Sequence, residues 1–259
     1  MKEHDLALSF ADDTELYDLV RPGYSSDIIQ CLMKKTGVMT NESVLEIGPG
    51  SGKLTRHLIE AGLHVSCVEP ATAFADFLRG KFKDYKKLDI VLSKFEDFEE
   101  RVASKYNLVV SAQAFHWIGW KVGLPKIRNL LAPNGYLALI WYSSSLAEMR
   151  LCEELDLVYS RYPEVTARLP GSFPEKWKDP QQQIRESGFL TDLSFVEFTE
   201  QHRYTSLVYK LLASTQSQYK KLRADRREKL LKEAVDVIQR FGGFIDVEYK
   251  YFLYTAQLI

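Results

Sequence analysis

Two acids and three glycines are the first residues in this chain whose types and spacing could do chemistry. In "VLEIGPGSG", residues Val44 to Gly52, an apolar run ends in Glu46, and glycines follow at 48, 50 and 52. Glycine removes the Cβ, so a ligand can come close to the backbone. Glu69 closes the next apolar run, "HVSCVEP", about 20 residues beyond Gly48. An acid at that distance from a glycine turn can accept hydrogen bonds from ribose hydroxyls.

The dinucleotide fingerprint is GxGxxG, with the pyrophosphate on a helix N-terminus. Here the pattern is GxGxG, and Lys53 stands where the third glycine of the fingerprint would be. Glu46 would repel a pyrophosphate and suit a ligand with cationic groups. A ribose, close backbone approach and positive charge together fit S-adenosylmethionine, which has an adenosine, an ammonium and a sulfonium. Two alternatives stay open. One is a protein that binds this ligand without using it in catalysis. The lesser one is an NAD-dependent oxidoreductase, against which the missing GxGxxG argues.

His116 and Trp117 follow the run "YNLVVSAQAF", and Trp141 and Tyr142 end the run "YLALIWYS". All four are candidates to line a substrate pocket, with His116 as the candidate base and plain packing as the competing role. Arg168, Lys176 and Arg203 could pair with a carboxylate substrate if any of them points inward, or could be solvated surface. The basic run "KKLRADRREK" reads as the wet face of a helix, and no nucleic-acid partner is expected. Cys31, Cys67 and Cys152 are too far apart for a CxxC site, and the five histidines lack ligand spacing, so no metal is expected.

These residues need elements to position them. Strand-like runs are "ESVLEIG", "HVSCVEP", "LDIVLSKF", "YNLVVSAQAF", "YLALIWYS", "LSFVEFTEQHRY" and "VEYKYFLYTAQLI". Helical runs alternate with them: "GKLTRHLIEAG", "ATAFADFLRGKF" and "VGLPKIRNLLA", the last ended by "PNG". Near-continuous apolar strands alternating with amphipathic helices imply βαβ units and a parallel sheet covered on both faces. Ligands then bind at the carboxyl ends of the strands. Residues from about 143 to 190 lose this rhythm. "LAEMRLCEELDLVYSRY" and "QQIRESGF" read as helices around an irregular, proline-rich stretch, and the segment is expected to be a cap insertion in a single domain spanning 1–259. "SLVYKLLASTQSQYKKL" reads as helical. Asp225 to Phe241 reads as a helix with an Asp225–Glu228 capping box, a shared face of Leu230, Ala234, Val237, Ile238 and Phe241, and a Gly242–Gly243 stop.

The 259 residues, 46% apolar and 27% charged with formal net charge −1, are an ordinary globular balance. No apolar run approaches a membrane span, and "MKEHDLALSF" has no signal-peptide core. A cytosolic location, with a monomer or weak homodimer, is expected.

On these residues the chain resembles the class I S-adenosylmethionine-dependent methyltransferases, in their trans-aconitate methyltransferase-like (methyltransferase type 11) branch. The likeness extends through "LYDLVRPGYSSDII", "SKFEDFEE", "YNLVVSAQAFHWI", "LLAPNGYLALIWY" and "GGFIDVEYKYFLYTAQL". It implies an α/β, Rossmann-like class I methyltransferase fold: a seven-stranded, mostly parallel sheet with an antiparallel last strand and a helical cap. It also implies a small-molecule methyl acceptor, in one form a carboxylic acid, and a cofactor-binding set. Glu46, Gly48, Gly50 and Gly52 would hold the methionine end. Glu69 would take the ribose, with Pro70 beside the adenine. Lys94, Phe95 and Glu96 would line the adenine, and Ala112 and Gln113 would close the methionine side. Tyr17, Arg21 and Tyr24 would fold over from an N-terminal helix, Tyr24 toward the substrate. Lys94, Asn107 and Asn134 depart from the family's usual residues. Asn134 replaces the first glycine of a "PGG" turn, and asparagine tolerates the positive φ such a turn needs.

Overall fold

The apolar runs at 43–47, 64–69 and 106–112 become strands because continuous β-branched and aliphatic residues can bury both faces of an extended chain, while those at 88–92 and 190–205 stay partly exposed. The computed structural model describes residues 13–99, 105–165 and 179–259. Its strands are β1 (Ser43–Ile47), β2 (His64–Glu69), β3 (Leu88–Leu92), β4 (Tyr106–Ala112), β5 (Leu131–Leu146), β6 (Leu190–Thr205) and β7 (Phe244–Leu258). They form one seven-stranded sheet in the order β3-β2-β1-β4-β5-β7-β6, mostly parallel with one antiparallel strand. β1 lies between β2 and β4, with Glu46 opposite Cys67 on one side and Val110 on the other. The order reverses at β1 and β4, where open α/β sheets make their binding crevice.

The helices among the described residues are α1 (Thr14–Val20), α2 (Ser26–Thr36), α3 (Lys53–Glu60), α4 (Thr72–Lys81), α5 (Trp120–Leu130), α6 (Met149–Tyr159), α7 (Pro180–Glu186), α8 (Ser206–Ser214) and α9 (Ala224–Arg240). α3 buries Leu54, Thr55, Leu58 and Ile59, the spacing of one helical face. α9 buries Leu230, Leu231, Ala234, Val237 and Ile238, and Gly242 and Gly243 follow it with φ of 96° and 81°.

The chain divides into two compact units. One comprises the described residues within 23–141, 174–198 and 252–259; the other comprises those within 1–22, 142–173 and 199–251. The first holds the parallel strands β1 to β4, and the second holds α1, α6, α8 and α9.

Four local expectations need correction. The "PNG" turn does not precede its strand but interrupts it. Tyr106 pairs with Leu131 and Leu108 with Tyr136, so residues 132–135 bulge out of β5. A Cβ on Gly135 would lie 2.9 Å from the carbonyl oxygens of both Ala132 and Tyr106, which reserves the site for glycine. Asn134 does take the left-handed conformation, at φ 61°.

The expected helix over 206–222 stops at Ser214 and resumes as a 3-10 turn, Ser217–Lys221. Arg21 explains the break: its Nε donates to Thr215 Oγ1 (2.8 Å) and its Nη2 to the Thr215 carbonyl (3.0 Å), satisfying the helix end from outside. Asp225 and Glu228 form no capping box. The N-cap is Arg223, Asp225 pairs with Arg223 and Glu228 with Lys210, so both acids are spent on ion pairs. Finally, the N-terminal helix is two helices, and Tyr24 lies between them.

Candidate active site

The three glycines of the loop after β1 have different jobs. Gly48 has φ 68°, and its N–H donates to the Val68 carbonyl at 3.0 Å, keeping the loop beside β2. A Cβ there would fall 2.4 Å from the Ala114 Cβ. Gly52, at φ 80°, starts α3, and a Cβ there would meet the Phe82 ring at 2.5 Å and Leu78 at 2.6 Å. These two are glycine because the protein itself fills the space. Gly50, at φ 56°, has nothing within 4 Å of its missing Cβ. It is the one of the three that faces open space.

Glu69 ends β2 beneath this loop and is 4% exposed. Its Oε2 accepts the Gly50 N–H at 3.1 Å and its Oε1 the Ala71 N–H at 2.9 Å. Burial pushes its carboxyl up to about 7, and the two backbone donors pull it back. Pro70 lies between the carboxylate and the Ala71 amide that it holds. The Ser93 N–H donates to the Glu69 carbonyl at 3.1 Å, which brings the turn Lys94–Asp97 to the same strand end. In that turn Lys94 and Glu96 are exposed and Phe95 is buried.

Glu46 is buried, and its hydrogen bonds run downward. Its Oε2 accepts from Thr55 Oγ1 on α3 at 2.7 Å and from the Cys67 thiol on β2 at 3.7 Å. Burial pushes its carboxyl up to about 7, these donors oppose the shift, and Glu69 adds to it.

At the end of β4, Ser111 Oγ donates to the Ile47 carbonyl at 3.0 Å and ties the strand to β1. Ala112 closes the strand. Gln113 takes φ 58° while its N–H donates to the Ile140 carbonyl at 2.8 Å. A non-glycine residue in this region is strained by about 1 kcal/mol. The loop so turned carries Phe115, His116 and Trp117 in a 3-10 turn. The Trp141 Nε1–H donates to His116 Nδ1 at 3.4 Å, so the neutral imidazole keeps its proton on Nε2. The Trp117 ring lies 4.9 Å from that of His116. Trp141 is a core residue, packed 6.2 Å from Trp120 and 5.8 Å from Tyr254.

Within the other unit the structure brings Tyr17, Arg21 and Tyr142 together. The Arg21 guanidinium lies 4.9 Å from the Tyr17 ring centre. Burial pushes the Tyr142 phenol up to about 12, and the Arg21 guanidinium opposes this. The Tyr142 ring sits edge-on to Tyr249 at 5.5 Å. Tyr24 belongs to the unit of the glycine loop. Arg203 grips Asp246 with two bonds of 2.6 and 2.7 Å, which commits its guanidinium. Arg168 and Lys176 lie outside the described residues.

Sequence reasoning missed Ser51 and two lysines. Ser51 is 2% exposed, and its Oγ has no hydrogen-bond partner among the described residues. A buried orphan hydroxyl is costly and calls for an explanation. Its carbonyl accepts from Lys81 Nζ at 2.9 Å. Lys126 Nζ donates to the Glu96 carbonyl at 2.7 Å. A serine between glycines is a weak signal of its position, and nothing in the local sequence marks either lysine.

Comparison with known proteins bears on the domain and the fold. Residues 45–137 match the family of the methyltransferase domain. An uncharacterized methyltransferase of Mycobacterium tuberculosis is 27% identical over 201 residues, covering 77% of this chain and 79% of that one. Among solved structures, a proposed type II methyltransferase of Anaeromyxobacter dehalogenans superposes with a TM-score of 0.61 at 20% identity, covering 91% of this chain and 97% of that one. An S-adenosylmethionine-dependent methyltransferase of Thiobacillus denitrificans, solved with S-adenosylhomocysteine, gives 0.52 at 9% identity over 100% and 99%. The structural likenesses show the fold. The methyltransferase domain at residues 45–137 and the methyltransferase relatives support an S-adenosylmethionine-dependent methyltransferase.

Proposed function

We propose that the protein methylates a small molecule, with the cofactor's adenosine end at Glu69 and its methionine end over the glycine loop. The observation that carries this reading is the pairing of Gly50 with Glu69. An open backbone position and a buried carboxylate are joined by one hydrogen bond, beside the orphan Ser51 hydroxyl. Each carboxylate oxygen accepts one backbone N–H and keeps a lone pair for a ribose hydroxyl. Ser51 Oγ supplies a polar atom that lacks a partner. The residues present therefore fit S-adenosylmethionine. Lys94, Phe95, Glu96 and Pro70 would border the adenine, and Ala112 and Gln113 the methionine side. Tyr24, in the same unit as the glycine loop, would close over the ligand. Glu46 would act from below, as a buried negative charge held by Thr55 and Cys67.

When bound, S-adenosylmethionine supplies a methyl group already activated on a sulfonium. The protein has to align the acceptor for in-line displacement and exclude water. A carboxylic acid acceptor would need no base at neutral pH, because its carboxylate is itself the nucleophile. His116 and Trp117 are the proposed acceptor side, with the buried Trp141 behind them holding the His116 ring. The Trp141 N–H on Nδ1 fixes the tautomer and orientation of the His116 ring. The segment at about 143–190 would set the choice of acceptor. Arg203 gives a carboxylate acceptor no support, since Asp246 holds it. The basic run is partly spent on ion pairs, as Arg226 with Glu164 shows, which supports a reading without nucleic acid.

Calorimetric titration with S-adenosylmethionine, S-adenosylhomocysteine and NAD tests the cofactor. Micromolar binding of the first two and none of NAD is expected. Absence of binding by either adenosyl ligand would refute the reading. Transfer of labelled methyl to a panel of small carboxylic acids, amines and phenols, with total RNA as a separate arm, then tests the acceptor. Label found in RNA alone would refute the small-molecule assignment.

A further inference from the structure

α5 reaches toward two loops of the candidate site. Near its start, Gly123 lets the helix lie against the 3-10 turn after β4; a Cβ there would fall 2.5 Å from the Phe115 ring. Three residues later, Lys126 reaches the turn after β3. Its Nζ donates to the Glu96 carbonyl at 2.7 Å and lies 5.4 Å from the centre of the Phe95 ring. That ring is 3% exposed, so it forms a fixed apolar seat under the ammonium.

The turn needs such a clamp. Its internal backbone bonds are Asp97 N–H to Lys94 at 3.2 Å and Phe98 N–H to Phe95 at 3.3 Å, both long. It also crowds acids: the carboxylates of Asp97, Glu96 and Glu99 all act on the Lys126 ammonium. A cation among three carboxylates relieves their mutual repulsion, and its bond to a carbonyl fixes the backbone between them.

We infer that Lys126 is a positioning residue for cofactor binding: from α5 it holds the Lys94–Glu96 backbone in the orientation that meets the adenine ring. The inference rests on the methyltransferase reading, because it requires adenosine beside Glu69 and this turn. Lys126 itself touches no reacting atom and acts through Glu96. It also joins the turn after β3 to the same helix that braces the turn after β4. Adenine and acceptor loops therefore share one rigid support.

The test is calorimetric binding of S-adenosylhomocysteine and of S-inosylhomocysteine, its analogue with oxygen in place of the adenine amino group. The proteins are wild type, Lys126→Arg and Lys126→Met. Lys126→Met should bind S-adenosylhomocysteine about three- to tenfold more weakly, less than a full charged hydrogen bond because the lost bond holds the turn and not the ligand. Lys126→Arg should stay close to wild type. The Lys126→Met loss should be smaller for S-inosylhomocysteine, because a displaced turn has less left to lose. A melting temperature close to wild type separates this from unfolding. Unchanged affinity, or equal losses for both ligands, would overturn the positioning role. Failure of wild type to bind S-adenosylhomocysteine would instead overturn the methyltransferase reading beneath it.

Discussion

In the unit of the glycine loop, buried acids are held by backbone N–H groups and a hydroxyl. In the other unit, buried hydroxyls are held by one another. Glu69 rests on the amides of Gly50 and Ala71, and Glu46 on Thr55. Across the second unit, Tyr159 Oη meets Tyr209 Oη at 2.7 Å and Tyr219 Oη at 2.5 Å, all three side chains buried. Glu69 keeps a lone pair on each oxygen and sits beside a glycine with empty space in front of it. The tyrosines satisfy each other within a closed core. The first arrangement fits the proposed ligand, and the other locks helices α6 and α8 to the 3-10 turn at Ser217–Lys221.

This contrast can be broken at several points, beginning with the largest expected effect. Glu69→Ala should weaken S-adenosylhomocysteine binding about 100-fold in calorimetry, through loss of charged hydrogen bonds to the ribose and release of Gly50. Gly52→Val should cost about 2–4 kcal/mol in denaturant unfolding, since it adds strain at positive φ to a clash with Phe82 and Leu78. Tyr159→Phe should cost about 1–3 kcal/mol, because it removes the hydroxyl that two buried partners share, and should leave S-adenosylhomocysteine affinity unchanged. A loss of affinity there would erase the division between the two arrangements.

The carboxyls also predict a pH dependence. Glu46 and Glu69 titrate near 4.5 when unfolded and are pushed up to about 7 in the fold. Between those values the folded chain holds more protons than the unfolded chain, so their contribution to stability falls as pH rises from about 4.5 to 7. Denaturant unfolding across that window should show this fall, and Glu46→Gln should flatten part of it. The smallest effect belongs to the exposed Arg203–Asp246 pair. Arg203→Ala should shift the melting temperature little, and less still at high salt.

Much of the first unit was legible because its signals are local. Each strand is a short apolar run, and the glycine spacing and Glu69 lie within 30 residues of sequence. The end of α8 was not legible, because what stops it is Arg21, 194 residues away. The Tyr159 cluster joins residues 50 and 60 positions apart, and no periodicity announces it. Asp225 and Glu228 matched a capping pattern, yet nearby cations, Arg223 and Lys210, claimed them. Around the glycine loop, residues adjacent in the chain could be named from the sequence and supporting ones could not. Ser51, Lys81 and Lys126 act through backbone carbonyls or a buried orphan atom, which residue type alone does not reveal.

The bond between Trp141 and His116 makes the molecule its own optical probe. Of four tryptophans, Trp141 is 1% exposed and Trp117 is 37% exposed. The buried indole should emit at shorter wavelength than the exposed one. A proton arriving on His116 Nδ1 must displace the indole N–H from its acceptor. Imidazole protonation, or a ligand that turns the ring, should therefore register as a change in the short-wavelength emission, reporting on the loop after β4 without any added label.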